Sequence, residues 1–277
     1  MTTLKTAVLG LGVIALVAGC GSGAEGSEAS GAAPAGLLRS GELSVCTDPE
    51  YPPMEFFEAG DTTNPVGFTS DSAKALADLW DVDITWQVTS FDGLMPALQA
   101  KRCDILWTAL YLSPERLEVA NGTPFLETGP GLIVRSGESG ITTQADLSGR
   151  TVAVQGGGSN EMTLQRLSDE FKAAGKPGIA IQAYPKTAET VAAVTNGKAD
   201  ALIETDVAVV NMVEKSGGAL KAVPDVFPTD TKFGVFTRKD SPLSAPLAEA
   251  VSTMHENGTL DEIAVRYGLD PARITTD

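Results

Sequence analysis

One histidine and three cysteines in 277 residues leave little material for metal or disulfide chemistry. A zinc framework needs several His and Cys ligands in spaced pairs, and disulfide scaffolds belong to short chains dense in cysteine. Basic residues are also scarce: 20 Lys and Arg stand against 36 Asp and Glu, a formal net charge of −16. So acidic a surface repels phosphate backbones and anionic headgroups, which argues against nucleic-acid binding and polybasic membrane docking. Long apolar runs are missing except for Ala7 to Val17, which is too short to span a bilayer. What remains is 43% hydrophobic with 29 Gly and 16 Pro, enough for one large or two modest domains with a buried core.

The first residues, MTTLKTAVLGLGVIALVAGC, place Lys5 before the apolar run and small residues after it, as a secretory signal does. Val17-Ala18-Gly19-Cys20 resembles the lipobox of bacterial lipoproteins. That resemblance implies removal of residues 1–19, lipidation of Cys20, and an extracytoplasmic location anchored to the outer face of the cell membrane. Residues 21–36, GSGAEGSEASGAAPAG, lack large apolar side chains and cannot repay the entropy of ordering. Segment 20–36 therefore reads as a flexible leash with a reach of roughly 20 Å.

From Leu37 onward, β-like runs alternate with amphipathic helical ones, the mark of an α/β chain with largely parallel strands. Strands are expected at Leu43–Cys46, Val82–Val88 and Asp104–Thr108, and helices at Ser72–Leu79 and Leu94–Lys101. The pattern then restarts, with strands at Thr151–Val154, Ile179–Ala183 and Ala201–Ile203 and helices at Asn160–Ala174 and Ala188–Asn196. Two serial β-α-β-α-β units imply two lobes. The tail from Ala245 to Tyr267 reads as helix broken at Asn257-Gly258-Thr259, and its apolar stripe has no sheet of its own to cover it. It must return to the first lobe, which sets the division at 37–127 plus 229–277 for lobe 1 and 128–228 for lobe 2. Two crossings between lobes make a hinge, with a ligand crevice at the carboxyl ends of the strands.

The stretches Asp48-Pro49-Glu50-Tyr51-Pro52-Pro53-Met54-Glu55-Phe56, Gly67-Phe68-Thr69-Ser70-Asp71 and Ser90-Phe91-Asp92-Gly93-Leu94 resemble the first lobe of family 3 solute-binding proteins, the amino-acid receptors of ABC importers. Leu112-Ser113-Pro114-Glu115-Arg116 is similar to that family's Thr-Pro-Glu-Arg element, and Val154-Gln155-Gly156-Gly157-Gly158-Ser159 to the turn that opens its second lobe. Asn257-Gly258-Thr259-Leu260 is similar to its closing Asp-Gly-Thr-Tyr helix pair, so ordered matches run from Leu43 to Gly268. The resemblance implies a two-lobed periplasmic-binding-protein-like fold (type II), a small zwitterionic ligand, ABC permease subunits as partners, a monomer, and no cofactor or metal.

These positions have plausible physical tasks. Arg116 can grip a planar carboxylate with two parallel bonds. Thr108, Ala109 and Tyr111 would line the same end, with Thr108 adding a hydroxyl or amide contact. Gly158 and Ser159 would present backbone N–H groups and a hydroxyl from the opposite lobe, at a helix N-terminus that favours an anion. No Gly-Lys-Ser/Thr follows the glycines, so a nucleotide loop is discounted. Tyr51 and Phe91 resemble the aromatic pair that sandwiches the ligand side chain, and Asp48 could accept a bond from it.

The chain departs from the family where the α-ammonium is held. The usual Asp, five residues past the corner aspartate, is replaced by Thr205 between Glu204 and Asp206. Asp206 is the preferred substitute here and Glu204 the second; strand alternation would aim both to one face and Thr205 away. Cys46 and Cys103, at the exit and entrance of neighbouring parallel strands, are expected to stay beyond the ~7 Å Cα separation a bridge tolerates and remain free thiols. His255 is expected to be solvated without a partner. The rival readings are a dehydratase of a cyclohexadienyl-type compound, with Glu161 or Glu204 as general acid, and a ligand sensor for a separate signalling chain.

Overall fold

The computed structural model describes residues 33–277; the signal, Cys20 and most of the leash lie outside the described residues. The chain forms two lobes, each an open mixed sheet of five strands covered by helices on both faces.

The first lobe begins with β1 (Glu42–Thr47), buried along nearly its whole length as a central strand is, then a small hairpin of β2 (Glu50–Tyr51) and β3 (Glu55–Phe56). Next come α1 (Phe68–Leu79), β4 (Asp83–Val88), α2 (Leu94–Gln99), β5 (Ile105–Leu106) and α3 (Pro114–Val119). Gly67 opens α1 with φ of 115°, and a Cβ there would fall 2.3 Å from the Met54 carbonyl oxygen. Only glycine lets the helix start pack this tightly on the hairpin. β6 (Ala120–Thr128) carries the chain to the hinge.

Past Gly129, β7 (Pro130–Arg135) enters the second lobe, followed by β8 (Thr151–Gln155), α4 (Ser159–Ala173), β9 (Ala180–Tyr184), α5 (Thr187–Thr195), β10 (Ala201–Thr205), α6 (Asp206–Lys215) and β11 (Leu220–Val223). The chain returns through β12 (Thr231–Arg238), antiparallel to β6, and ends in α7 (Ser244–Glu256) and α8 (Thr259–Arg266). Sheet order is β4-β1-β5-β12-β6 in the first lobe and β11-β7-β10-β8-β9 in the second. The strands that cross between lobes run antiparallel to their neighbours, so each sheet is mixed where sequence alternation suggested parallel strands.

Leu247, Val251, Met254, Leu260 and Ile263 of the two tail helices share one buried core with Leu43, Phe68, Phe125 and Phe233. Gly258, at φ 82°, makes the left-handed turn that ends α7 and starts α8. The second lobe has its own core around Leu132, Val152, Leu164, Leu167 and Ile203.

Two expectations are corrected here. Cys46 and Cys103 form a disulfide, with Cα atoms 5.6 Å apart. The expectation assumed a full-length strand after Cys103; β5 is instead two residues long, and the left-handed turn at Lys101 (φ 57°) brings Cys103 back beside β1. His255 has no hydrogen-bond partner at Nδ1, as expected, but that nitrogen is shielded from solvent, 3.7 Å from Asp261 Oδ1.

Candidate functional site

A cavity of about 130 Å³ lies between the lobes, open on one side. The first lobe contributes Tyr51 and Glu55 from the β2–β3 hairpin, Phe91 from the turn before α2, Thr108 to Tyr111 from the segment after β5, and Arg116 from α3. The second contributes Gly158, Ser159 and Asn160 at the start of α4, Thr187 at the start of α5, and Glu204 and Thr205 at the end of β10. Most of these side chains sit where a strand gives way to a turn or helix, because there the backbone leaves the sheet and polar groups can face a crevice without breaking a ladder.

Arg116 owes its place to the Ser113-Pro114 cap. The Ser113 side chain accepts from the Arg116 backbone N–H and Pro114 preorganises the first turn of α3. Its Nη1 donates to the Tyr111 carbonyl at 3.0 Å and, across the lobes, to Ser159 Oγ at 3.4 Å. The guanidinium carbon stands 6.0 Å from the centre of the Phe91 ring. Among the described residues it has no ion-pair partner, and burial pulls its pKa down to about 10. A cation so placed attracts an anion into the cavity.

Glu204 is the opposite charge. Only 5% exposed, it accepts from the Tyr51 hydroxyl at 2.7 Å, the Thr205 N–H at 2.9 Å and the Thr187 hydroxyl at 3.4 Å. It pairs with no cation among the described residues, and burial raises its pKa. Tyr51 also lies 2.6 Å from Thr205 Oγ1, so its hydroxyl ties the two lobes together. Burial and Glu204 push the Tyr51 pKa well above that of an ordinary phenol.

Asp206 does not line the cavity. It begins α6, accepts from Thr128 Oγ1 at 2.8 Å and the Gly129 N–H at 3.4 Å, and pairs with Arg273 at 2.7 Å beside the hinge. The alternation argument fails because β10 stops at Thr205 and the chain turns into a helix one residue later, so Thr205 faces the cavity with Glu204. Thr108 lines the cavity, but its hydroxyl donates to Glu55 and so has no proton left for a ligand carboxylate. Ala109 lines it too, with its N–H given to Glu55 at 3.1 Å. Glu161 accepts the Gly157 N–H at 2.7 Å and is absent from the lining.

Tyr111 stacks on Phe233, with ring centres 5.3 Å apart, and its buried hydroxyl has no neighbour to bond among the described residues other than the Asn160 side chain. Asn160 Oδ1 is likewise buried. An under-satisfied polar pair on the wall of one cavity is a feature a bound molecule can complete. Asp48 lies toward the mouth with a pKa raised to about 6, chiefly by burial and then by Glu50, while Lys186 pulls the other way. Lys186 reaches across the lobes to Glu50 at 2.6 Å.

Sequence reasoning named most of the wall and missed Glu55, Asn160, Thr187 and the Glu50–Lys186 and Asp206–Arg273 pairs. Glu55 stood inside a quoted stretch, and an acid between Met54 and Phe56 in a strand-like run was the available signal. The ion pairs join residues far apart in the chain and leave no local trace.

Residues 43–270 match the family model for bacterial extracellular solute-binding proteins, family 3. The chain is 30% identical to the arginine-binding extracellular protein ArtP of Bacillus subtilis (strain 168), over 90% of this chain and 91% of that protein. It is 27% identical to the L-cystine-binding protein TcyJ of Escherichia coli (strain K12), over 95% of each. Among solved structures, an ancestral arginine-binding protein bound to arginine superposes with a TM-score of 0.74 at 26% identity, covering 82% of this chain and 98% of that one. With a family match across nearly all of both lobes and a cleft built at the strand ends, the chain belongs to family 3 of the bacterial extracellular solute-binding proteins.

Proposed function

We propose that this protein is the substrate-binding component of an ABC importer and that it closes its lobes over the zwitterionic head of an amino acid. The observation that carries this reading is the pairing of an unmatched guanidinium, Arg116, with an unmatched buried carboxylate, Glu204, on the wall of one small cavity. Arg116 takes the α-carboxylate, with Ser159 and the N-terminus of α4 behind it. Glu204, assisted by the Thr205 hydroxyl, takes the α-ammonium in place of the family's aspartate. One charged group comes from each lobe, so only the closed state holds both ends, and that difference in contacts drives closure.

Charge-assisted hydrogen bonds contribute about 1.5 to 3 kcal/mol each, so three or four can support micromolar affinity, about −8 kcal/mol, after the cost of association. Asp48 and Glu50 at the mouth favour a cationic or strongly polar side chain. The relatives named for arginine and cystine point the same way. The Cys46–Cys103 disulfide suits an oxidising compartment outside the cytoplasm. Cys20 carries the lipid that holds the protein at the membrane, where the permease subunits take the closed form. We read the function as binding without turnover: Glu161, the other candidate acid of the dehydratase reading beside Glu204, is absent from the cavity lining, and the relatives named above are binding proteins.

The test is a thermal-shift screen of the twenty amino acids followed by calorimetry with Arg116→Ala. At least one amino acid should raise the melting temperature, and the variant should lose about a hundredfold or more in affinity for it. Undiminished binding by Arg116→Ala would remove the carboxylate assignment.

A further inference from the structure

Glu55 is a carboxyl with no counter-ion among the described residues. It is 2% exposed, and its partners are the Thr69 hydroxyl at 2.7 Å, the Ala109 N–H at 3.1 Å and the Thr108 hydroxyl. Charged and titratable groups on the elements around it are Glu50 and Tyr51 on β2, and Asp71 and Lys74 on α1, which pair with each other at 3.0 Å. Asp48, Arg116, Glu204 and Tyr111 share the cavity. None of the cations forms an ion pair with Glu55.

Thr69 Oγ1 has one hydrogen and two acceptors in reach, Glu55 Oε2 at 2.7 Å and the Met54 carbonyl at 3.0 Å. Thr108 Oγ1 also has one hydrogen, and while Glu55 is ionised that hydrogen belongs to Oε1. A ligand carboxylate beside Thr108 would then meet lone pairs, with two anions competing for a single hydroxyl proton. If Glu55 takes a proton from solvent, it sits on Oε2 and donates to Thr69 Oγ1, whose own hydrogen turns to the Met54 carbonyl; Oε1 keeps the Ala109 N–H as a neutral carbonyl and no longer competes as an anion, so the Thr108 hydrogen can turn to the ligand. Burial already raises the Glu55 pKa to about 7, so the proton costs little near neutrality.

We propose that Glu55 is a positioning residue which, by gaining or losing its own proton, decides whether the Thr108 hydroxyl can donate to the ligand carboxylate, so that ligand binding is coupled to proton uptake. This rests on the carboxylate end of the cavity being read correctly above. Linkage fixes the sign: binding favours the protonated form, so affinity falls as pH rises above about 7, by up to about tenfold per pH unit.

The probe is whichever amino acid gives the largest thermal shift, titrated calorimetrically from about pH 6 to about pH 8.5 in buffers of differing ionisation enthalpy. Wild type should take up close to one proton per ligand at the alkaline end and bind about thirtyfold more weakly there than at the acid end. Glu55→Gln, whose carbonyl keeps the Ala109 N–H and whose NH2 turns to Thr69, stays neutral at every pH, so it should take up none, show no slope, and bind more tightly than wild type at about pH 8.5. Thr108→Val should also abolish the uptake, since the relay is gone. Asp48→Asn should remove only a component centred near pH 6. The proposal is overturned if Glu55→Gln keeps the wild-type slope, or if wild type binds with no uptake. If no amino acid binds wild type at all, the functional reading itself fails, a result distinct from either of these.

Discussion

Arg116 and Glu204 reach one cavity from different sheets, and each carries a charge that nothing else among the described residues neutralises. Glu204→Gln keeps the shape and removes the charge, so it should weaken ligand binding by about ten- to a hundredfold in calorimetry while the protein stays folded. Asp206→Asn separates this assignment from the one strand alternation suggested. It should change affinity by less than about threefold but lower the melting temperature, because Arg273 loses its partner beside the hinge. Arg116, Tyr51 and Ser159 were legible because each sits in a motif with a physical task. The choice between Glu204 and Asp206 was not legible, because it depends on a strand ending at Thr205, and element ends are set by tertiary packing more than by local pattern.

The elements that carry the site were readable from periodicity and punctuation. Gly156 to Gly158 before α4, Pro114 at the start of α3 and Gly258 between α7 and α8 each mark a boundary the backbone must obey. The short β5 was not readable, and the disulfide followed from that error. The bridge closes a sequence separation of 57 residues, for which chain entropy gives about 4 kcal/mol as an upper figure. Cys46→Ser with Cys103→Ser should therefore lower the melting temperature by several degrees, about as much as reductant does to wild type. The β2–β3 hairpin also sets a pH dependence in the ligand-free protein. Glu55 is raised from 4.5 to about 7 and Asp48 from 3.8 to about 6. The folded state thus holds protons that the unfolded state has released, so stability declines from about pH 4 to about pH 7 and flattens above. Denaturant unfolding across that range should show the decline, shallower in Glu55→Gln.

Contacts between the lobes describe a closed molecule: Tyr51 on Glu204, Arg116 on Ser159, Glu50 on Lys186, and Arg273 on Asp206 at the hinge. They differ in weight. Glu50–Lys186 is an exposed pair, and Lys186→Ala should shift affinity by less than about threefold. Tyr51 is half-buried with its hydroxyl bonded across the lobes, so Tyr51→Phe, which leaves Glu204 short of a donor, should weaken binding by about tenfold. A two-lobed shape followed from the repeat of strand and helix along the chain, whereas the closed contacts join residues too distant in sequence to leave a pattern. The account as a whole stands on both ends of the guest being held at once. Its most direct test is to compare, by calorimetry on wild type, the tightest-binding amino acid with its decarboxylated amine and its deaminated acid. Loss of about a hundredfold or more for both analogues is the result predicted here; an analogue lacking either charged end yet binding as tightly as the intact zwitterion would contradict it.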